Sequence, residues 1–173
     1  MKISICSVPY PIYLQPIVPC EGQTRHDREE KAVAALVTEA FGEGFERNHD
    51  PLGAPIIVRH GHKAEVCVSI SHSRDYAVLI KAPADIAVGI DIENQRPQLD
   101  RVAPRVLSPE ELLHYGNMPN GLLTAWTLKE ALYKAVRSLA DKEIDFASEL
   151  RLPLCGSDGA SFEGKNGIRL TRI

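Results

Sequence analysis

The stretch IAVGIDIE (Ile86–Glu93) alternates apolar residues with small or acidic ones without a break. Side chains of an extended chain point alternately to opposite faces. Ile86, Val88, Ile90 and Ile92 therefore share one face, and Ala87, Gly89, Asp91 and Glu93 share the other. The first face calls for a core. The second sets two carboxylates side by side, with a glycine beside them leaving room. Like charges so close repel unless water screens them or a cation sits between them. Two readings follow: a solvated strand end, or a site for an oxygen-loving divalent cation such as Mg²⁺, Ca²⁺ or Mn²⁺.

Around this strand the patterning divides the chain. KISICSV (Lys2–Val8) reads as a half-buried strand, followed by a proline-rich loop. DREEKAVAALVTEAF (Asp27–Phe41) has early acids and apolar residues at helical spacing, and Gly42 and Gly44 end it. HDPLGAP (His49–Pro55) is a turn, and PIIVR, EVCVSIS and DYAVLIK are strands. Beyond NQRPQLDR the character becomes helical. Ser108, Pro109 and Glu111 spell a helix start with a capping box. GLLTAWTLKEALYKAVRSLA (Gly121–Ala140) predicts a helix with Leu128, Leu132, Ala135 and Leu139 on one stripe. SELRLPL and GIRLTRI are strand-like pieces around a glycine-rich turn. This order predicts an α+β protein of two similar halves, residues 1–97 and 98–173.

Composition excludes several classes. At 173 residues the chain can bury one sizeable core or two small ones. A net charge of −3 gives no support for binding nucleic acid or anionic lipid. No apolar run is long enough to span a bilayer, and prolines 9, 11, 16 and 19 break the apolar N-terminus, so a cytoplasmic protein is expected. Cys6, Cys20, Cys67 and Cys155 are scattered, as free thiols of a reducing compartment would be.

Two further stretches bear chemistry. In WTLKEALYK (Trp126–Lys134), Glu130 and Lys134 lie one helical turn apart on one face. They make either a surface ion pair or, if the helix packs near Asp91, a third carboxylate and a lysine suited to a metal-bound phosphate. In SISHS (Ser69–Ser73), Val66, Val68 and Ile70 point one way and Ser69 and Ser71 the other, with His72 expected in the following turn. Such donors can cradle phosphate, although a turn histidine is more often structural. His60 and His62 of the HGH sequence lack further ligands nearby in sequence.

In this order, SISHS, VGIDIE and WTLKEALYK resemble the 4′-phosphopantetheinyl transferase superfamily, and more closely its larger branch. That branch has a G-[IV]-D-[IV]-E strand and a W-[ST]-x-K-E-x-x-x-K helix, and this sequence matches both over a region from about residue 53 to 146. The resemblance implies two α+β halves related by a pseudo-twofold axis, with coenzyme A in the cleft between them. It implies transfer of the phosphopantetheine arm of coenzyme A to a serine of an apo acyl or peptidyl carrier protein, with release of adenosine 3′,5′-bisphosphate. By position, Asp91, Glu93 and Glu130 are implied as ligands of Mg²⁺ (or Mn²⁺). Glu130 is also implied as general base, and Lys134 as the lysine on the phosphates. Ser71 and His72 match the coenzyme A loop, Lys129 belongs to the signature and is implied as a further coenzyme A-binding residue, and Arg25 is a candidate for gripping coenzyme A together with His26, Arg28 and Lys31. Glu111 is a further acid of the branch pattern as well as a capping residue. Ala54 stands where many members carry a basic residue, and the C-terminal half is short. A monomer is expected, since both halves lie in one chain. A non-catalytic coenzyme A-binding protein and a Mg²⁺-dependent phosphohydrolase are the alternatives.

Overall fold

The computed structural model describes residues 10–95, 97–137, 144–154 and the backbone of 161–162. The expected strand at Lys2–Val8, Leu139 and the GIRLTRI piece lie outside them. The fold is α+β, and the chain divides after Ile92 into two compact units.

In the first unit a three-stranded antiparallel sheet has the order β1 (Ile12–Pro16), β6 (Tyr76–Pro83), β5 (Val66–His72). A second antiparallel sheet joins β2 (Phe45–His49), β3 (Pro55–Arg59) and β4 (His62–Lys63). Helix α1 (Arg25–Phe41) packs on β1, β6 and β2. Its start lies two residues before the predicted one, because Thr24 and Asp27 form a reciprocal capping box. Gly42 and Gly44, with φ of 94° and 79°, turn the chain out of the helix.

Strand β1 corrects the reading of that region as a proline-rich loop. It sits at the edge of the described sheet, where a proline lacking an N–H costs no ladder bond. Central β6 is buried on both faces, which explains its nearly unbroken apolar run. Ala77 and Leu79 join Val33, Leu36 and Val37 of α1, while Ile80 and Ala82 join Val88, Ile86 and Ile90. Lys81 shares the α1 face. Its ammonium donates to the Ala40 carbonyl and lies 4.9 Å from the Phe41 ring centre and 5.3 Å from that of Tyr13.

The segment Ile86–Glu93 is the second correction. Ile86, Val88 and Ile90 pack as the alternation predicts, yet the segment joins no ladder. Side chains bind it to β5 instead: the amide of Ile90 donates to Ser69 Oγ at 3.1 Å, and that of Ile92 to Ser71 Oγ at 3.4 Å. Two serines two residues apart thus hold two amides at the same step, doing for an extended segment what carbonyls do in a sheet.

The second unit is mainly helical: α2 (Leu99–Val106), α3 (Pro109–Gly116) and α4 (Gly121–Arg137), with a short antiparallel pair β7 (Leu150–Arg151) and β8 (Ser161–Phe162). Helix α3 begins as predicted, with Ser108 and Glu111 in a capping box and Pro109 in the first turn. Helix α4 follows a tight corner at Asn120, whose φ is 55°. A methyl group on Gly121 would lie 1.7 Å from the Tyr115 carbonyl oxygen, so the corner requires glycine. The buried face of α4 runs through Gly121, Ala125, Lys129, Leu132 and Val136. This shifts the predicted stripe: Leu132 is on it, Leu128 and Ala135 are half-buried at its flanks, and a lysine occupies its middle. Trp126 and Tyr133 pack on Phe146, with ring centres 5.9 and 5.6 Å apart.

Candidate active-site residues

Within the first unit β5 distributes its residues to two faces. Ser71 lies on the face covered by residues 86–92, and its hydroxyl donates to Asp91 Oδ1 at 2.7 Å while accepting from the Ile92 amide. One side chain therefore fixes both the backbone and the carboxylate of the acidic motif. Asp91 itself is half-buried.

His72 ends the strand, paired with Ala77, and is not in the following turn. Its imidazole lies on the α1 side. Nδ1 is 3.6 Å from Oε1 of Glu29, a carboxylate one turn into α1. The same oxygen accepts from Arg25 Nε at 2.6 Å. Two predicted ligand-binding residues, Arg25 and His72, are thus gathered on one acid from different elements. Glu29 is buried, whereas the Arg25 and His72 side chains retain 65% and 41% exposure, so both groups can still meet a ligand.

The second unit holds Glu93, Glu130, Lys129 and Lys134. Glu93 is half-buried, and its Oε1 accepts from the Asn94 amide at 3.0 Å. Glu130 and Lys134 are half-buried one turn apart on α4. Lys129 is fully buried. Its ammonium donates to Glu111 Oε2 at 2.9 Å and to the Val106 carbonyl. Glu111, 1% exposed, also accepts from the amides of Ser108 at 2.8 Å and Leu152 at 2.7 Å. The capping role of Glu111 is therefore observed, extended into an ion pair joining α2, α3, α4 and the chain after β7. Burial, with Glu111's charge second, raises the Tyr115 phenol above its ordinary 10.0, and its hydroxyl donates to the Pro153 carbonyl at 2.7 Å.

The carboxylates expected to share a cation are divided by this organisation, Asp91 in the first unit and Glu93 and Glu130 in the second. Among the described residues, neither unit alone gathers three or more His, Cys, Asp or Glu side chains at metal-binding distance. The supports of the motif residues leave no mark in local sequence. Ser69 and Ser71 alternate as expected, but nothing in their spacing names Ile90, Ile92 or Asp91 as partners. Glu29 stood among the early acids of a helix.

Comparison with known families supports a class, that of the transferases. Residues 87–167 match the model of the 4′-phosphopantetheinyl transferase superfamily. The match takes in both VGIDIE from Val88 and WTLKEALYK. No curated protein matches the chain. Among the described residues no helix is long and apolar enough to cross a membrane.

Proposed function

We propose that this chain is a Mg²⁺-dependent 4′-phosphopantetheinyl transferase of the holo-[acyl-carrier-protein] synthase type. It takes coenzyme A and an apo carrier protein as substrates and works as a cytoplasmic monomer of two pseudo-twofold-related halves. The observation that carries the reading is the family match across both motifs, supported by the serine that orients Asp91. In the reaction, the carrier's serine oxygen bonds to the phosphorus on the pantetheine side of the diphosphate. The bridging P–O bond breaks, and adenosine 3′,5′-bisphosphate leaves with the electron pair.

Each residue has a role suited to its type. Asp91, Glu93 and Glu130 supply the hard oxygen donors that Mg²⁺ takes, and a carboxylate oriented by a hydroxyl fits that donor set. The cation supplies neutralisation of diphosphate charge. Glu130 accepts the serine proton, and Lys134 holds phosphate oxygens as a point charge. Arg25 and His72 bind phosphate groups of coenzyme A. Lys129 acts on this site from within the second unit, by fixing the helix that bears Glu130 and Lys134.

The test is incubation with coenzyme A, Mg²⁺ and apo carrier proteins, read by mass spectrometry. A carrier gaining one phosphopantetheine arm, with Asp91→Ala giving none, is the expected result. Coenzyme A binding without transfer to any carrier would replace this reading with that of a binding protein, and phosphate release without a carrier would replace it with that of a hydrolase.

A further inference from the structure

Glu29 is a buried carboxylate with no part in the chemistry above. It lies on α1, and its Oε1 faces two nitrogen-bearing groups, the Arg25 guanidinium on the same helix at 2.6 Å and the His72 imidazole from the end of β5 at 3.6 Å. The side chain of Glu29 is 11% exposed while its two partners keep much of their surface. An acid so placed is poorly accessible to an anionic ligand and would repel one, yet it sits directly behind two groups that attract one. A carboxylate beside Nδ1 favours a proton on that nitrogen and fixes the ring, so that Nε2 is the atom turned to the ligand.

We propose that Glu29 is a positioning residue. It holds Arg25 and His72 together as one anion-binding pair and sets the ring orientation and tautomer of His72, so that both meet a phosphate group of the nucleotide substrate. This rests on the reading of the chain as a coenzyme A-using transferase. The buried acid lies within reach of both the guanidinium and the imidazole, and so holds the two groups at one place before a ligand arrives.

The experiment compares Glu29→Leu, Glu29→Gln and His72→Ala in the full chain. Glu29→Leu should raise KM for coenzyme A about tenfold, the factor for one charge-assisted contact of modest strength, with the loss falling on KM rather than kcat. Glu29→Gln, which keeps size and an acceptor oxygen, should lie between it and the wild type. In the His72→Ala background, Glu29→Leu should add much less than it does alone. Nitrogen-15 NMR supplies the readout independent of turnover: the His72 Nδ1 resonance of neutral imidazole should shift toward the unprotonated position in Glu29→Leu. If the variant leaves that resonance in place, or if its effect on KM multiplies fully with that of His72→Ala, the proposal is wrong. Absence of any transfer by the wild-type chain would overturn the transferase reading, while the resonance still decides whether Glu29 controls His72. Should Glu29→Leu fail to fold, Glu29→Gln carries both readouts.

Discussion

Replacing Lys129 with methionine keeps the length and apolar stem of the side chain and removes only its ammonium. In the native chain that ammonium is fully buried against Glu111 and the Val106 carbonyl. The variant leaves Glu111, 1% exposed, as a buried carboxylate with two amide donors and no counter-charge. Removing one partner of a buried pair costs about 3–5 kcal/mol because the other charge is stranded. At about 2–4 °C per kcal/mol for a protein of this size, the melting temperature should fall by about 6–20 °C. Urea unfolding followed by circular dichroism measures the loss directly as a lower midpoint. Removing the acid as well, in Glu111→Leu/Lys129→Met, should recover only part of it, since the Ser108 and Leu152 amides and the Val106 carbonyl then lose their partners. A loss below about 1 kcal/mol in Lys129→Met would be the value for an exposed pair and would refute the argument that this lysine is held dry.

Gly121→Ala should destabilise by more than about 2 kcal/mol in urea, although alanine is the better helix former, because its methyl group would meet the Tyr115 carbonyl oxygen at 1.7 Å. Tyr115 should resist ionisation in an ultraviolet pH titration. Its folded-state pKa is raised, so its contribution to stability is complete below the ordinary value of 10.0 and is lost as pH rises beyond it. Tyr115→Phe should remove this pH dependence and cost about 1 kcal/mol for the bond to Pro153. Ser71→Ala should cost about 1 kcal/mol in urea, because Asp91 loses a donor and the Ile92 amide its acceptor, while Ser71→Thr keeps the hydroxyl and the stability.

How much of this was legible in sequence depends on how local the cause is. The capping box at Ser108, the glycines closing α1 and the two-faced alternation of β5 are set by neighbours within one turn or one strand, and the structure has them where the sequence places them. The strand at Ile12–Pro16 was missed because proline content says loop, whereas an edge position makes those prolines harmless. On α4 the apolar stripe through Leu128, Leu132 and Ala135 leaves Lys129 out, whereas the buried face runs through Lys129. Only an acid eighteen residues earlier makes burial of Lys129 tolerable, and no periodicity within the helix records it.

The same distinction separates the motif residues from what supports them. Asp91 was identified through a short pattern, and its placement in that pattern says nothing of the hydroxyl that orients it, twenty residues upstream. The family-matched segment opens at residue 87, so Ser69, Ser71, Arg25, Glu29 and His72 all lie outside it. A chain could keep every residue from 87 to 167 and lose the donor on Asp91, the two tethers on the backbone of Ile90 and Ile92, and the acid between Arg25 and His72. Without those tethers the apolar face of Ile86, Val88 and Ile90 would still drive the segment onto the sheet. Burial fixes which face is turned inward but not the position along the strand, since a slip of two residues presents the same face. Register is what the serines add, and a two-residue slip of about 6–7 Å would carry the Asp91 carboxylate away from the Ser71 hydroxyl that orients it.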